Sequence, residues 1–390
     1  MKNLTGENIM GQDEFTEVTN QSWFSRLGGA VKGILVGLVL FLIAFPLLFW
    51  NEGRSVKRHK TLQEGSGIVI SVPSEKVDSA NEGDLVHLSG LATTKETLSD
   101  PVFGISANAI KLKRKAEMYQ WEEKTSSTEE TKLGGGTETK TTYSYNKVWS
   151  SWLINSSNFK RTSGHENPKT MPYESKELVA EHVTLGAFRL PQSIVSKISG
   201  FAPLTIAESA PLPNIQSAKV QRMEKGYYLG NDINHPEIGD MRISFQVLKP
   251  MDTSVVAQQI KDSLEPYQSS QGGSIELVAS GIVSSGAMFE KAEQDNVIMT
   301  WLIRLGGFIL MFAGLKMALN LLSVLADVVP LFGNIVAAGT GIITFLITGL
   351  LSLITIAIAW LVYRPLIGIT LLAAAIGFGI LGFTKLRAAK

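Results

Sequence analysis

Apolar and polar sequence alternate unevenly along this chain of 390 residues. One apolar segment lies near the N-terminus, at residues 29–50, and three more lie close together at residues 303–326, 335–362 and 365–384. A helix needs about 20 predominantly apolar residues to cross the hydrocarbon core of a bilayer. The pattern therefore predicts four transmembrane helices, with a polar insert at residues 51–298 between the first and the second.

The insert has the pattern of β-strands. Short β-branched or apolar runs bounded by turn residues occur at 67–72, 85–92, 241–248 and 275–279. Residues 107–123 and 137–152 flank a polar stretch with Gly134–Gly136, which predicts a long hairpin whose charged tip we expect to be mobile. From Ser284 the pattern becomes helical and runs on into the second span. The predicted fold class is an α+β membrane protein with a large β-rich domain.

Basic residues indicate the orientation. Lys385, Arg387 and Lys390 form a basic C-terminal tail at 385–390, which favours cytoplasmic termini and a non-cytoplasmic insert. Arg54 and the basic residues that follow it argue the other way, but the rule is weakest for long translocated domains. The polar N-terminal tail, residues 1–28, would then be cytoplasmic too.

Composition and motifs narrow the function. A net charge of +1 argues against a nucleic-acid binder with a broad basic surface. The absence of cysteine excludes disulfides, thiolate metal sites and cysteine nucleophiles. None of the five histidines has a metal-site spacing, and no phosphate loop or nucleophile elbow occurs. We expect no catalytic residue, metal or cofactor, although an enzyme or envelope sensor acting through the insert stays an alternative.

Small residues four positions apart predict close helix packing, because they let two backbones approach. The first span carries Gly29, Gly33 and Gly37, and the fourth carries the pairs Ala373 with Gly377 and Ala375 with Gly379. These positions predict association within the bundle or between copies. The expected partners are therefore the lipid bilayer, a second copy of the chain and other membrane or envelope proteins.

Polar residues at the span boundaries are the other candidate positions. They are Asn51, Glu52, Gly53 and Arg54 after the first span, Asp327 and Pro330 after the second, and Tyr363, Arg364 and Pro365 between the third and the fourth. Interfacial anchoring and turn formation explain such residues more simply than ligand binding does. We expect Glu52 to pair with Arg54 or with Arg364.

Lys316 is a charge inside the second span. An ionisable group at that depth is costly unless it pairs, snorkels or meets water. A snorkelling lysine is the simpler interpretation, because no acidic residue lies inside any span. The alternative is a transporter or channel component with a polar pathway near Lys316 and Asp327.

Several short motifs together resemble the LUMA-type family of four-span membrane proteins, also called the transmembrane protein 43 family. The resemblance extends in order over roughly residues 20–388, and its motifs are AsnGluGlyArg at 51–54, GluMetTyrGlnTrp at 117–121, TyrSerTyrAsn at 143–146, IleAsnSerSerAsnPhe at 154–159, GlyHisGluAsnPro at 164–168, GluIleGlyAspMetArgIleSerPhe at 237–245 and TyrArgProLeu at 363–366.

The resemblance implies four spans with the large domain on the non-cytoplasmic side, and no enzymatic reaction. Animal members are regarded as organisers of membrane protein complexes, associated with emerin and lamins at the endoplasmic reticulum and inner nuclear membrane. The lack of cysteine and of a retrieval signal favours a bacterial member. In that case the insert would be a periplasmic domain of an inner-membrane protein. The function expected is a non-enzymatic, self-associating membrane scaffold.

Overall fold

The computed structural model describes residues 13–207, 212–213, 215 and 219–370. In these residues the α-helices are α1 (Trp23–Ile68), α2 (Gln192–Lys197), α3 (Ser285–Ala326) and α4 (Pro330–Tyr363). Helices α1, α3 and α4 are long and apolar enough to cross a membrane. The predicted fourth span is helical at 365–370. Its remainder, with Ala373, Ala375, Gly377, Gly379 and the basic tail, lies outside the described residues.

Two of these helices extend well beyond the predicted spans. Helix α1 has 46 residues, or about 69 Å, and continues past Trp50 because residues 51–66 contain no proline and half of them are good helix formers. Helix α3 has 42 residues and begins beside Ser284, whose side chain accepts a hydrogen bond from the Ala287 amide at 3.4 Å. The predicted continuous helix from the insert into the second span is confirmed.

The described strands fall almost entirely within the insert. They are β1 (Asp13–Gln21), β2 (Ile70–Ser71), β3 (Leu85–Thr93), β4 (Thr97–Asp100), β5 (Ile105–Asn108), β6 (Lys111–Thr131), β7 (Thr137–Ser150), β8 (Lys176–Val179), β9 (Val183–Leu185), β10 (Phe188–Leu190), β11 (Ala202–Pro203), β12 (Val220–Met223), β13 (Gly226–Leu229), β14 (Met241–Leu248), β15 (Met251–Ile260), β16 (Ser263–Glu265), β17 (Tyr267–Gln268), β18 (Ser274–Ile275) and β19 (Leu277–Ser280). Two short 3₁₀ turns lie at Ser79–Asn81 and Ser156–Asn158.

Two sheets build the β-rich domain. The first has the order β1-β7-β6-β14-β13-β12, with β8 also on β6 and β11 also on β14. In the second, β15 pairs with both β16 and β3, which closes β3, β15, β16, β10 and β9 into a ring. Strand β14 alternates as period-two patterning requires, with Met241, Ile243 and Phe245 buried in the core of the first sheet.

A shared hydrophobic cluster joins the closed sheet to the helices. Leu62 of α1 and Met288 and Phe289 of α3 pack with Leu85 and Val256 of the ring. All five side chains are nearly inaccessible to solvent. Because α1 and α3 both contribute to this cluster, side-chain packing holds the β-rich domain to their ends in addition to the covalent connection. We call this the junction end of the helices.

The predicted hairpin is confirmed, and it forms part of a longer structure. Strands β6 and β7 pair in register from Met118 with Ser150 to Thr131 with Thr137. Strand β1 pairs with β7 along its whole length, so residues 13–21 of the predicted polar tail are a strand. We call β1, β7 and β6 beyond Met118 the ribbon. Past Trp121, whose backbone bonds to the Asn167 side chain, the described residues leave one edge of β6 unpaired.

The tip of the ribbon contacts the opposite end of the helices, which we call the distal end. The Gly134 amide donates to the Val328 carbonyl at 3.1 Å, and Arg26 Nη1 donates to the Gly135 carbonyl oxygen at 2.5 Å. The lengths agree, since 13 residues of strand and 26 residues of helix each span about 40 Å. The tip that we expected to be mobile is therefore docked, beside the first turn of α1.

Cross-linking tests this docking. The chain has no native cysteine, so Leu133→Cys with Val328→Cys supplies the reactive pair, and both side chains are exposed. We expect a short bis-thiosulfonate reagent to join them, because the neighbouring Gly134 amide bonds to Val328. Migration in a denaturing gel measures the yield.

The matched control is Leu133→Cys with Val297→Cys, which lies toward the junction end, about 45 Å away along α3. Equal yields for the two pairs would contradict a docked tip.

Candidate functional site

Helices α1 and α3 pack antiparallel through one very close glycine contact. A Cβ added to Gly37 would lie 2.5 Å from the Gly314 carbonyl oxygen, and one added to Gly314 would lie 2.6 Å from that of Gly37. Gly37 thus lies at a helix–helix contact, as small residues permit. At Gly29 and Gly33 an added Cβ would meet nothing within 4 Å among the described residues. These two predicted packing positions face open space within the chain.

At the junction end a buried ion pair joins three helices. Glu52 of α1 has no exposed surface, and its carboxylate accepts from Arg304 of α3 at 2.7 Å and 2.9 Å. The indole Nε1 of Trp360, on α4, donates to the same carboxylate at 2.8 Å. The Arg304 guanidinium also stacks over Trp301 at 4.7 Å from the ring centre. A bidentate, fully hydrogen-bonded pair is the arrangement in which a buried charge is tolerated.

Amide and hydroxyl groups extend this network toward the β-rich domain. Asn51 Nδ2 donates to the Thr300 carbonyl oxygen at 3.0 Å, and Asn296 Nδ2 donates to that of Ser55 at 3.0 Å. Arg54 donates to the Thr300 hydroxyl at 3.1 Å and to Asn296 Oδ1 at 3.3 Å. Each of these bonds crosses from α1 to α3. The network therefore fixes the register of the two helices.

The expected partners of Glu52 were wrong. Glu52 pairs with Arg304, because residues two apart, such as Glu52 and Arg54, point to nearly opposite sides of a helix. Arg364, the other expected partner, is the residue at which α4 ends, and Pro365 follows it.

The remaining boundary positions pack closely. A Cβ added to Gly53 would lie 2.6 Å from the ring of Tyr363. Tyr363 also lies against Phe49, with ring centres 5.2 Å apart. Pro330 is the first residue of α4, where a missing amide hydrogen is tolerated.

At the distal end Asp327 is also paired. Arg26 Nη2 donates to Asp327 Oδ2 at 2.5 Å, and both side chains are largely buried. Trp23 Nε1 donates to the Val324 carbonyl oxygen at 2.8 Å. These contacts close the bundle at the end where α3 turns into α4. Asp327 is therefore occupied by Arg26.

A cavity of about 570 Å³ lies beside this pair, between α1, α3 and the tip of the ribbon. Gly29, Gly33 and Arg26 line it from α1, and Lys316 and Asn320 line it from α3. Glu129 and Gln21 line it from the ribbon. The Lys316 ammonium lies 5.9 Å from the centre of the Phe312 ring. The predicted intramembrane lysine thus opens into a space lined by both polar and apolar residues.

A third polar cluster holds the ribbon to the β-rich domain. His165 is buried, and its Nε2 and Nδ1 lie 2.7 Å from Asp13 Oδ2 and 3.1 Å from the Arg161 carbonyl oxygen. The ring of Tyr145 stacks on His165, and its hydroxyl donates to Glu123 at 2.7 Å. Burial, followed by the bond to Glu123, raises the pKa of Tyr145 to about 12. Among the described residues no group of three or more His, Cys, Asp or Glu could hold a metal ion.

The comparisons with known proteins agree with this architecture. The family model of transmembrane protein 43 matches residues 118–365, which include strand β7, the part of β6 that belongs to the ribbon, and helices α3 and α4. The chain belongs to the transmembrane protein 43 family. It is 36% identical to "Transmembrane protein 43" of Rattus norvegicus over 369 residues, covering 90% of each chain. It is 36% identical to that of Homo sapiens over 357 residues, covering 88% of each.

A more distant relative belongs to the same family. "Transmembrane protein 43 homolog" of Drosophila melanogaster is 33% identical over 347 residues, covering 87% of this chain and 91% of its own. No solved structure matches the chain significantly. The chain is an integral, multi-pass membrane protein of this family.

Sequence reasoning missed the α3 half of the junction network. Asn296, Thr300 and Arg304 lie on one face of α3, since they are spaced four residues apart. Polar residues that recur every four positions beside an apolar segment predict that this helix face packs against another helix with complementary polar groups. Trp360 offers no such signal, because a tryptophan near the end of a span is expected at the membrane interface in any case.

Replacing one partner of the buried pair tests the junction network. In Glu52→Gln the Arg304 charge stays buried without its carboxylate, and removing one partner of a buried pair costs about 3–5 kcal/mol of unfolding free energy. Denaturant unfolding of the detergent-solubilised protein, followed by tryptophan fluorescence, measures it.

Lys291→Ala is the control, because Lys291 and Asp295 form an exposed pair on α3, worth about 1 kcal/mol or less. A Glu52→Gln protein as stable as this control would show that the pair is not buried.

Proposed function

We propose that this protein is a non-enzymatic integral membrane scaffold that self-associates and organises membrane protein complexes. We further propose four spans, with the distal end of the helices and the C-terminal tail on the cytoplasmic side and the β-rich domain on the opposite side, where Asp13 contacts His165. The observation that carries the proposal is the ribbon, a polar sheet that extends beside apolar helices from one end of the bundle to the other.

Lipid alone cannot solvate the ribbon. The apolar faces of α1 and α3 carry exposed side chains such as Leu35, Leu42 and Ile309, which require lipid or protein around them. The ribbon extends over the same length and carries many charged residues, which are Asp13, Glu14, Glu17, Glu122, Glu123, Lys124, Glu129, Glu130, Glu138, Lys140 and Lys147. Each charge left in hydrocarbon costs several kcal/mol.

The unpaired backbone groups of the ribbon also require a partner other than lipid. Beyond Trp121 the described residues leave one edge of β6 unpaired, and β1 pairs on one side only. Unpaired backbone groups do not persist against lipid, and open edges pair readily with another chain. Other copies of this chain supply matching edges and apolar helix faces together. Self-association around the ribbons would therefore pair the open strand edges and cover the exposed apolar faces of the helices.

Shortening the ribbon tests the scaffold. Residues 126–142 are replaced by Asn-Gly, which joins Thr125 to its register partner Tyr143 with a tight turn. We expect the intact protein to be an oligomer in nanodiscs and the shortened protein to lose most of that association, because the charges between 126 and 142 and the open β6 edge beyond Thr125 are removed. Native mass spectrometry gives the stoichiometry, and far-UV circular dichroism confirms that the sheets persist.

Arg189→Ala is the matched control, since its exposed pair with Asp262 lies on the β-rich domain, away from the ribbon. This variant should assemble normally. A monomeric intact protein at every concentration, or a shortened protein that assembles like the intact one, would contradict the scaffold.

A second candidate function is a transporter or channel component, and the cavity around Lys316 supports it. The cation favours an anion as the transported species. Asp327 is removed from that pathway by its pairing with Arg26.

Liposome flux tests this candidate. Chloride flux through the reconstituted protein should fall in Lys316→Ala and persist in Lys291→Ala, which removes an exposed lysine of the same helix. Absence of flux in the intact protein would end the candidate.

A further inference from the structure

The depth of the cavity in the membrane can be estimated from its distance along the helices to the membrane boundary at the junction end. Trp50, Trp301 and Arg304 mark the membrane boundary there, as aromatic and basic residues do. A hydrocarbon core of about 30 Å corresponds to about 20 helical residues, which puts the distal boundary near Ala30 and Val324. Both residues line the cavity. The cavity therefore opens at the headgroup boundary and extends into the acyl region, where Lys316 lies about 12 Å deeper than Val324 along α3 and its long side chain can reach back toward the headgroups.

The floor of the cavity is open to a ligand because it lacks side chains. An added Cβ would meet nothing within 4 Å at Gly29 or Gly33 among the described residues, whereas at Gly37 it would meet α3. The three glycines Gly29, Gly33 and Gly37 form a glycine stripe on α1. This stripe packs against α3 at Gly37 and lines an open groove at Gly33 and Gly29. A groove of backbone and small side chains that opens toward lipid has room for an acyl chain or a glycerol backbone.

The charges that line the cavity are balanced and spatially separated. Arg26 is neutralised by Asp327. The described residues provide no ion-pair partner for Lys316, whose one aromatic contact is Phe312. Glu129 lies across the cavity, on the ribbon. The lining therefore presents one available cation on the helix side, with the Asn320 amide one turn away, and one carboxylate on the ribbon side.

We propose that this cavity binds a phospholipid with a zwitterionic, amine-bearing headgroup. Its phosphate lies at the Lys316 ammonium and the Asn320 amide, and its ammonium group lies toward Glu129. A purely anionic headgroup would satisfy Lys316 with its phosphate and leave the Glu129 carboxylate without a counter-charge. A choline headgroup would meet Glu129 without a hydrogen-bond donor. The site does not depend on self-association, because one copy of the chain provides every lining residue.

Native mass spectrometry of the delipidated protein measures the binding. The full chain is reconstituted in nanodiscs of equal parts phosphatidylethanolamine, phosphatidylglycerol and phosphatidylcholine, and retained lipid is counted on release. We expect phosphatidylethanolamine to be enriched on the intact protein. Lys316→Gln should weaken its retention about tenfold, because a charge-assisted hydrogen bond is lost. Glu129→Gln should shift the preference toward phosphatidylglycerol.

Gly33→Leu fills the groove, and its matched control is Gly306→Leu, where an added Cβ also meets nothing within 4 Å but the residue does not line the cavity. Retention should fall in the first variant and persist in the second. Free phosphoethanolamine and inorganic phosphate are added as competitors to separate a lipid site from a soluble-phosphate site. Displacement of the lipid by either at millimolar concentration would overturn the assignment to lipid.

Two further outcomes would overturn the proposal. One is equal retention of all three lipids by the intact protein. The other is unchanged phosphatidylethanolamine retention in Lys316→Gln, which removes the charge without filling the groove and so decides the matter if Gly33→Leu fails to fold.

Discussion

The antiparallel pairing of α1 and α3 is the interaction on which the rest of the structure depends. One contact, Gly37 against Gly314, brings the two backbones together in the apolar region. The Glu52–Arg304 pair then fixes the register at the junction end, and Leu62, Met288 and Phe289 carry the same pairing into the core of the β-rich domain. The apolar part of the helix pair is thus surrounded by lipid, and its junction end packs in the core of the β-rich domain. No hinge loop interrupts either helix between these two parts.

The ribbon is a polar structure fixed beside the apolar helices, and its charges restrict what can surround the bundle. It is held at its base by Tyr145 and His165. At its tip the Gly134 amide donates to the Val328 carbonyl oxygen, and the Gly135 carbonyl oxygen accepts from the Arg26 side chain. Both anchors are built from the described chain alone, but the charged strands between them have no lipid-compatible face. A polar sheet fixed at both ends of an apolar bundle is stable in a membrane only where water or protein covers it. The proposed self-association would cover the ribbon and the exposed apolar helix faces together.

Much of the architecture could be predicted from local pattern. Uncharged runs predicted the three apolar helices that the structure describes, and turn residues between alternating strands predicted the β6–β7 hairpin. Distant pairings could not be predicted in this way. The partner of Glu52 lies 252 residues away in Arg304, and that of Asp13 lies 152 residues away in His165. The glycine stripe shows the same limit, because spacing identifies a smooth helix face but does not distinguish a face that packs from one that lines a cavity.

The solvent exposure of the charged side chains differs between the junction end and the distal end of the helices, and this difference indicates a structural role for the first and a binding role for the second. At the junction end each charged atom of Glu52 has a donor and no contact with solvent, so a ligand would have to break bonds that already stabilise the fold. At the distal end Arg26 and Asp327 are likewise satisfied, but Lys316 and Glu129 are exposed side chains that face a cavity. Binding there requires no native bond to be broken. The boundary motif at 51–54 is therefore a structural element, and recognition is expected where the helices leave the glycine stripe uncovered.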